Sequence, residues 1–192
     1  MIRLYLFHIL IHILSYFRFF KNDINNFGET KLINILKHSI YTISLNIFII
    51  FPIGFYPLLR YNVINPEFIF IEILVNYFIY DFVYYFIHRQ IQFSWIHEKR
   101  HEIPIVSFSS TYAGIIDYFL LDIFSVYIGL FIMKAHLFTY YFFIGMETYI
   151  NILTHSKKGH RIQFYLLHRY YWDCNYGINM ISDKYLKTFF PS

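Results

Sequence analysis

A helix that crosses a bilayer needs about 20 mostly apolar residues, because hydrocarbon offers no partner to an open backbone group. Four or five stretches of this chain meet that need, running from Leu4 to Phe20, Ser39 to Leu59, Phe68 to His88, Tyr112 to Met133 and Leu137 to Leu153. With 57% hydrophobic and only 15% charged residues, the chain lies far from the charge content of about 25% typical of soluble domains. The expected fold is therefore all-α. It is a multi-pass membrane bundle of four to five spans, forming a single domain over residues 1–192 with no internal repeat. The first stretch lacks a small-residue cleavage site and is followed by further spans, so it reads as a retained helix and not a signal peptide.

Lys and Arg in short connections resist translocation, and their distribution sets the orientation. With the N-terminus outside, only Arg3, Arg60 and Lys134 lie outside, and all the other basic residues fall on the cytoplasmic side. If the last two stretches form a re-entrant hairpin turning at Lys134, the same loops remain inside. The net charge of +4 is thus divided among short loops, a pattern that argues for a membrane and against nucleic acid. The lone Cys174 excludes an internal disulfide. The 24 Phe and 20 Tyr accompany abundant Ile and Asn, a general bias that removes any single aromatic residue as a signal.

Against this apolar background the polar residues stand out. Asp81 and His88, seven apart, share a helix face two turns apart, and an ionisable residue inside a span marks a site by default. His97 and His101, four apart, bring two imidazoles to one side of a helix, where both can reach one metal. Imidazole suits iron and zinc. Beyond the last span come His155, His160 and His168, followed by Cys174-Asn175-Tyr176-Gly177. His8 and His12 read as packing residues, and His38 and His136 as interfacial ones. Glu72, Asp117, Asp122 and Glu147 read as partly exposed or as partners of Arg. Asn175 to Gly177 reads as a structural turn in which Gly supplies a positive φ.

This order of motifs resembles the fatty acid hydroxylase and sterol desaturase superfamily, membrane enzymes with a histidine-bound di-iron centre. The likeness covers about residues 75 to 190. The first histidine box corresponds to Asp81 through His88 and Arg89, with Gln92 where a second His is expected. The second corresponds to Trp95 and then His97 to His101, with Arg100 in place of a His. The third corresponds to residues 165–169, where His168 matches and Tyr165 and Arg169 stand for histidines. His155 matches the preceding ligand, and Asn151 falls on another ligand position. Residues 182–189 are similar to the family's C-terminal motif, with Ser182 for Trp and Lys187 for Gly.

The resemblance implies a cytoplasmic histidine-rich cap in which His88, His97, His101, His155 and His168, with Gln92 and Tyr165, hold iron around a common pocket. Asp81 would orient a ligand from behind. It further implies hydroxylation or desaturation of a fatty acid or sterol, electrons from a donor protein such as cytochrome b5, and residence in the endoplasmic reticulum of a eukaryote. Arg100 and Arg169 bear on how many ions are held, because a guanidinium has no lone pair and stays charged. Each costs its cluster a ligand and brings a repulsive charge unless it turns to a carboxylate such as Glu98, Glu102 or Asp173, and the chain is expected to bind at most one metal tightly. The alternatives are a catalytically degenerate relative that binds lipid or acts as a scaffold, and a small transporter with ionisable residues along a polar path.

Overall fold

The computed structural model describes residues 6, 10, 13, 14, 29–50, 66–103, 107–155 and 161–190, and every element among them is helical. Helix α1 (Glu29–Leu45) runs into a π turn at Asn46–Ile50, and a 3-10 turn at Pro66–Phe68 opens α2 (Ile69–Ile91). Then come α3 (Trp95–His101), a 3-10 segment at Ser107–Thr111, α4 (Ile115–Met133), α5 (Leu137–His155), α6 (Arg161–Tyr171) and the short α7 (Ile181–Tyr185). Two of these helices, α2 and α4, are long and apolar enough to cross a membrane. They coincide with the third and fourth expected stretches. Most of the first stretch, with His8 and His12, and the second half of the next lie outside the described residues, as does His160.

Helix α2 has the polarity of a soluble helix turned inside out. Phe70, Leu74, Phe78, Phe82 and Phe86, spaced by four, form an exposed row. Its buried residues include Glu72, Asn76, Asp81 and His88. In water the apolar row would face the core, whereas in hydrocarbon the ionisable groups belong inside the bundle.

The buried side of α2 packs on α4 at close range. A Cβ at Gly129 would lie 2.2 Å from Asn76 Oδ1 and 2.9 Å from the Ile79 side chain, so only glycine permits this approach. Asn76 donates to the Val126 carbonyl at 3.3 Å. Helices α4 and α5 form a hairpin whose turn is made by Lys134 in the left-handed region (φ 52°), with the Ala135 N–H returning to the Leu130 carbonyl at 2.9 Å. Glu72 seals the hairpin from α2. Its Oε2 accepts the His136 N–H at 2.9 Å and the Thr139 hydroxyl at 2.6 Å, placing a carboxylate at the start of α5, where open N–H groups favour one. Helix α1 docks through Thr42 and the His38 ring, 3.3 and 3.0 Å from the Ala113 carbonyl. His38, through its ring, and His136, through its backbone N–H, are thus both joints between elements.

Residues Phe119–Phe124 of α4 form a π-helical turn. In a regular α-helix, residues five apart point about 140° from one another. The wider turn lets Asp117 and Asp122 face the same neighbour.

A clasp of backbone donors on two buried carboxylates shapes the C-terminal segment. Asp183 accepts the N–H groups of Tyr176 (2.7 Å) and Gly177 (2.6 Å) and the Thr188 hydroxyl (2.8 Å). Asp81 accepts the N–H groups of Asn179 (2.6 Å) and Ser182 (2.8 Å). This gives Asp81 a task other than the one expected of it. Both of its oxygens tie the tail to α2, and among the described residues its bonds go to the Asn179 and Ser182 N–H groups and to no histidine. The turn chemistry is also redistributed. Asn175 (φ 54°) and Lys187 (φ 59°) adopt the left-handed conformation, while Gly177 is required by space, since a Cβ there would lie 2.8 Å from Asp183 Oδ2.

Candidate metal centre

The end of α2, helix α3 and helix α6 bring His88, His97, His101 and His168 together. His88, His97 and His168 are buried, and each offers a ring nitrogen within 4.8 Å of the others, so the three can hold a metal ion. His101 adds a fourth ring, with its Nε2 2.9 Å from that of His97. The four-residue spacing on α3 delivers this pair to one face, as expected.

The partners of the rings fix which nitrogens are open. His88 Nδ1 lies 2.8 Å from the Tyr176 carbonyl, His168 Nδ1 lies 2.7 Å from the Cys174 carbonyl, and His97 Nδ1 lies 2.8 Å from Asp117 Oδ1. Each of these partners can only accept, so each Nδ1 carries the proton and each Nε2 presents a lone pair. His88 Nε2 and His97 Nε2 then face each other at 3.1 Å. Nitrogens held about 2.0 to 2.2 Å from a shared ion, at angles between tetrahedral and right, stand about 2.8 to 3.6 Å apart. The His88–His97 and His97–His101 separations, 3.1 and 2.9 Å, fall in that interval. His168 Nε2 and His101 Nδ1 are buried and have no hydrogen-bond partner.

Electrostatics agree with neutral imidazole ligands. Burial, reinforced by the neighbouring His97 and His168, lowers the pKa of His101 from 6.5 to about 2. Burial lowers that of His168 to about 4, although the Cys174 carbonyl works the other way. A cavity of about 50 Å³ lies beside His88 and His168, bordered by Tyr84, Thr154, Tyr176 and Met180, with room for about one or two water-sized ligands.

Both arginines are turned away from the centre. Arg100, 5% exposed, donates from Nε to Asp117 Oδ2 at 2.7 Å and from a terminal nitrogen to Asp122 Oδ2. Burial opposes its charge, but Asp117 and Asp122 outweigh that and hold its pKa above the ordinary 12.5. Arg169 donates to the carbonyls of His101 and Ile103 at 2.7 and 2.8 Å, clamping the end of α3. Arg100 thus pairs with Asp117 and Asp122, two of the acids read as partners of Arg, and these bonds do not go to Glu98, Glu102 or Asp173.

The remaining expected ligands are placed differently. His155 is buried, with Nδ1 2.9 Å from the Asn151 carbonyl in its own helix, and its ring is not in the group of donors within 4.8 Å. Asn151 donates to Asp122 Oδ1 at 3.0 Å and to the Ser110 carbonyl at 3.3 Å. Gln92 donates to the Tyr176 hydroxyl at 2.8 Å. The Tyr165 side chain lies outside the described residues. Sequence reasoning missed Asp117, the carboxylate that orients His97, and the Tyr176 and Cys174 carbonyls that orient His88 and His168. Only the proximity of residues 174–176 to His168 was a signal for them.

A di-iron centre needs two donor sets. His88, His97 and His168 fit one ion, with His101 beside them, and among the described residues no second group of three His, Cys, Asp or Glu donors comes together. No protein-family model, curated protein or solved structure matches this chain.

Proposed function

We propose that this protein is a divergent relative of the fatty acid hydroxylase and sterol desaturase superfamily. In this reading it is a multi-pass membrane protein of four to five spans that holds a histidine-bound metal ion, preferably iron, at the cytoplasmic end of its bundle and oxidises a lipid. The observation that carries it is the convergence of the ring nitrogens of His88, His97 and His168 within 4.8 Å, with every opposite Nδ1 tied to an acceptor. Iron bound there would supply the activation of dioxygen toward an unactivated C–H bond. The chain's own part is positional. Asp117 and two carbonyls aim the rings, the clasp at Asp81 and Asp183 fixes the segment that carries those carbonyls, and the cavity beside His88 and His168 would admit a small ligand to the centre.

Membrane placement draws support from the exposed Phe row of α2 and from Phe93 and Trp95, 74% and 76% exposed, which follow the span where aromatic anchors collect. Lys187 adopts a positive φ at the position where the family has Gly, which supports the match of the C-terminal motif. The basic cytoplasmic face suits an acidic electron donor such as cytochrome b5, and a eukaryotic chain of this kind would reside in the endoplasmic reticulum. A catalytically degenerate relative that binds lipid or acts as a scaffold is the second reading. The structural bonds made by Gln92 and Asn151, at positions where ligands are expected, favour it.

Elemental analysis of the detergent-purified chain after anaerobic loading with Fe(II), followed by mass spectrometry of lipids incubated with it, dioxygen and a reductant, separates these readings. Bound iron with an oxidised lipid product is expected. Iron without product leaves the degenerate relative, and no iron removes the histidine centre.

A further inference from the structure

We propose that Arg100 is the resident second cation of this site: its guanidinium, locked between Asp117 and Asp122, fills the place a second metal ion would need, so the protein binds one metal ion only. The inference rests on the histidine centre proposed above and concerns how many ions it takes.

His97, Arg100 and His101 stand at positions i, i+3 and i+4 of α3 and therefore on one face. The two imidazoles turn to the histidine cluster, and the guanidinium turns to α4. There Asp117, just before the π turn, and Asp122, within it, present carboxylates that are 0% and 9% exposed. Without Arg100 these would be uncompensated buried charges, each a strong demand for a cation. The carboxylate oxygens of Asp117 and Asp122 are donors of the kind that suit hard divalent ions, and Asn151 holds Asp122 in place by donating its amide N–H to Oδ1. Asp117 joins the two cation positions, with Oδ1 on His97 and Oδ2 on Arg100. A metal ion arriving at Oδ2 would have to displace a guanidinium bonded to both acids and would face its charge at close range. A histidine at this position would donate a lone pair, whereas the arginine supplies the charge and leaves the ion no ligand.

The test is Co(II) binding to the purified full-length chain, read by elemental stoichiometry and by electron paramagnetic resonance. The unmodified protein should saturate near one ion per chain, with the spectrum of a magnetically isolated ion. Arg100→Gln should saturate near two, and adding Asp122→Asn should return it to one. Arg100→Lys, which keeps the charge, should stay at one. Should Arg100→Gln fail to fold, Co(II) is expected to restore the folded fraction by taking the guanidinium's place. Two ions in the unmodified protein, a folded Arg100→Gln that holds one, or an unfolded one that Co(II) does not rescue would each overturn the proposal. Zero ions in the unmodified protein would instead remove the histidine centre, and this inference with it.

Discussion

Two buried polar clusters sit a few residues apart at the end of α2, and they differ in what they leave unsatisfied. The clasp of Asp81 and Asp183 is closed. Each of its four carboxylate oxygens accepts at least one backbone N–H or hydroxyl. The histidine cluster is open, with His168 Nε2 lacking a partner and the Nε2 atoms of His88 and His97 facing each other. Buried polar atoms are nearly always paired, so an orphan demands an explanation. What sets the histidine cluster apart is that its open nitrogens converge on one another. The staple has spent its hydrogen-bonding capacity on the fold, and the site has kept some for a ligand.

The contrast can be broken at its open side first. His168→Ala removes a ring nitrogen from the cluster and should weaken metal binding by more than about 100-fold, beyond the 10- to 100-fold typical of an outer-shell change, as measured by competition with a chelator. Secondary structure should persist. On the closed side, Asp183→Ala strands two buried N–H groups and takes one of its two partners from the Thr188 hydroxyl. It should cost about 3 to 5 kcal/mol of stability in detergent unfolding, with metal affinity falling only as Tyr176 and Cys174 lose their positions.

Gly177→Ala tests how tightly the staple is drawn. The added Cβ would meet Asp183 Oδ2 at 2.8 Å and Asp81 Oδ1 at 3.2 Å, and overpacking of this kind costs about 1 to 3 kcal/mol. A neutral result in thermal unfolding would mean that the clasp is slack.

Acidification sharpens the difference further. The folded pKa of His168, about 4, lies below the 6.5 of an unfolded imidazole, so between these values the unfolded chain takes up a proton that the folded chain refuses. Stability of the metal-free protein should be whole above pH 6.5 and fall as pH drops toward 4, with bound metal resisting the loss. A flat profile over that window would contradict burial of a neutral ring. The smallest effect is expected at Lys187, whose φ of 59° suits glycine better than a side chain. Lys187→Gly should stabilise the folded state by about 0.5 to 1 kcal/mol, read from the unfolding midpoint.

Sequence alone determined the helical class, because runs of apolar residues leave the backbone no partner but itself. It also placed α2 and α4 to within a few residues. It paired His97 with His101, since a spacing of four is a property of any helix, and it marked His88 and His168 by their place in the order of motifs. What it could not determine were bonds between residues remote in the chain. Asp81 reads as a ligand's partner by periodicity, yet it holds Ser182, 101 positions away. Asp117, 20 positions from His97, is the true orienting carboxylate, and its pairing with Asp122 depends on a π turn that hydrophobic patterning does not reveal. Where Arg100 and Arg169 point was likewise decided by the fold, which offered one of them two acids and the other two carbonyls. Periodicity fixes which face of its own helix a residue occupies, but the partner is fixed by the packing of whole helices against one another, and a buried charge or lone pair is answered only there.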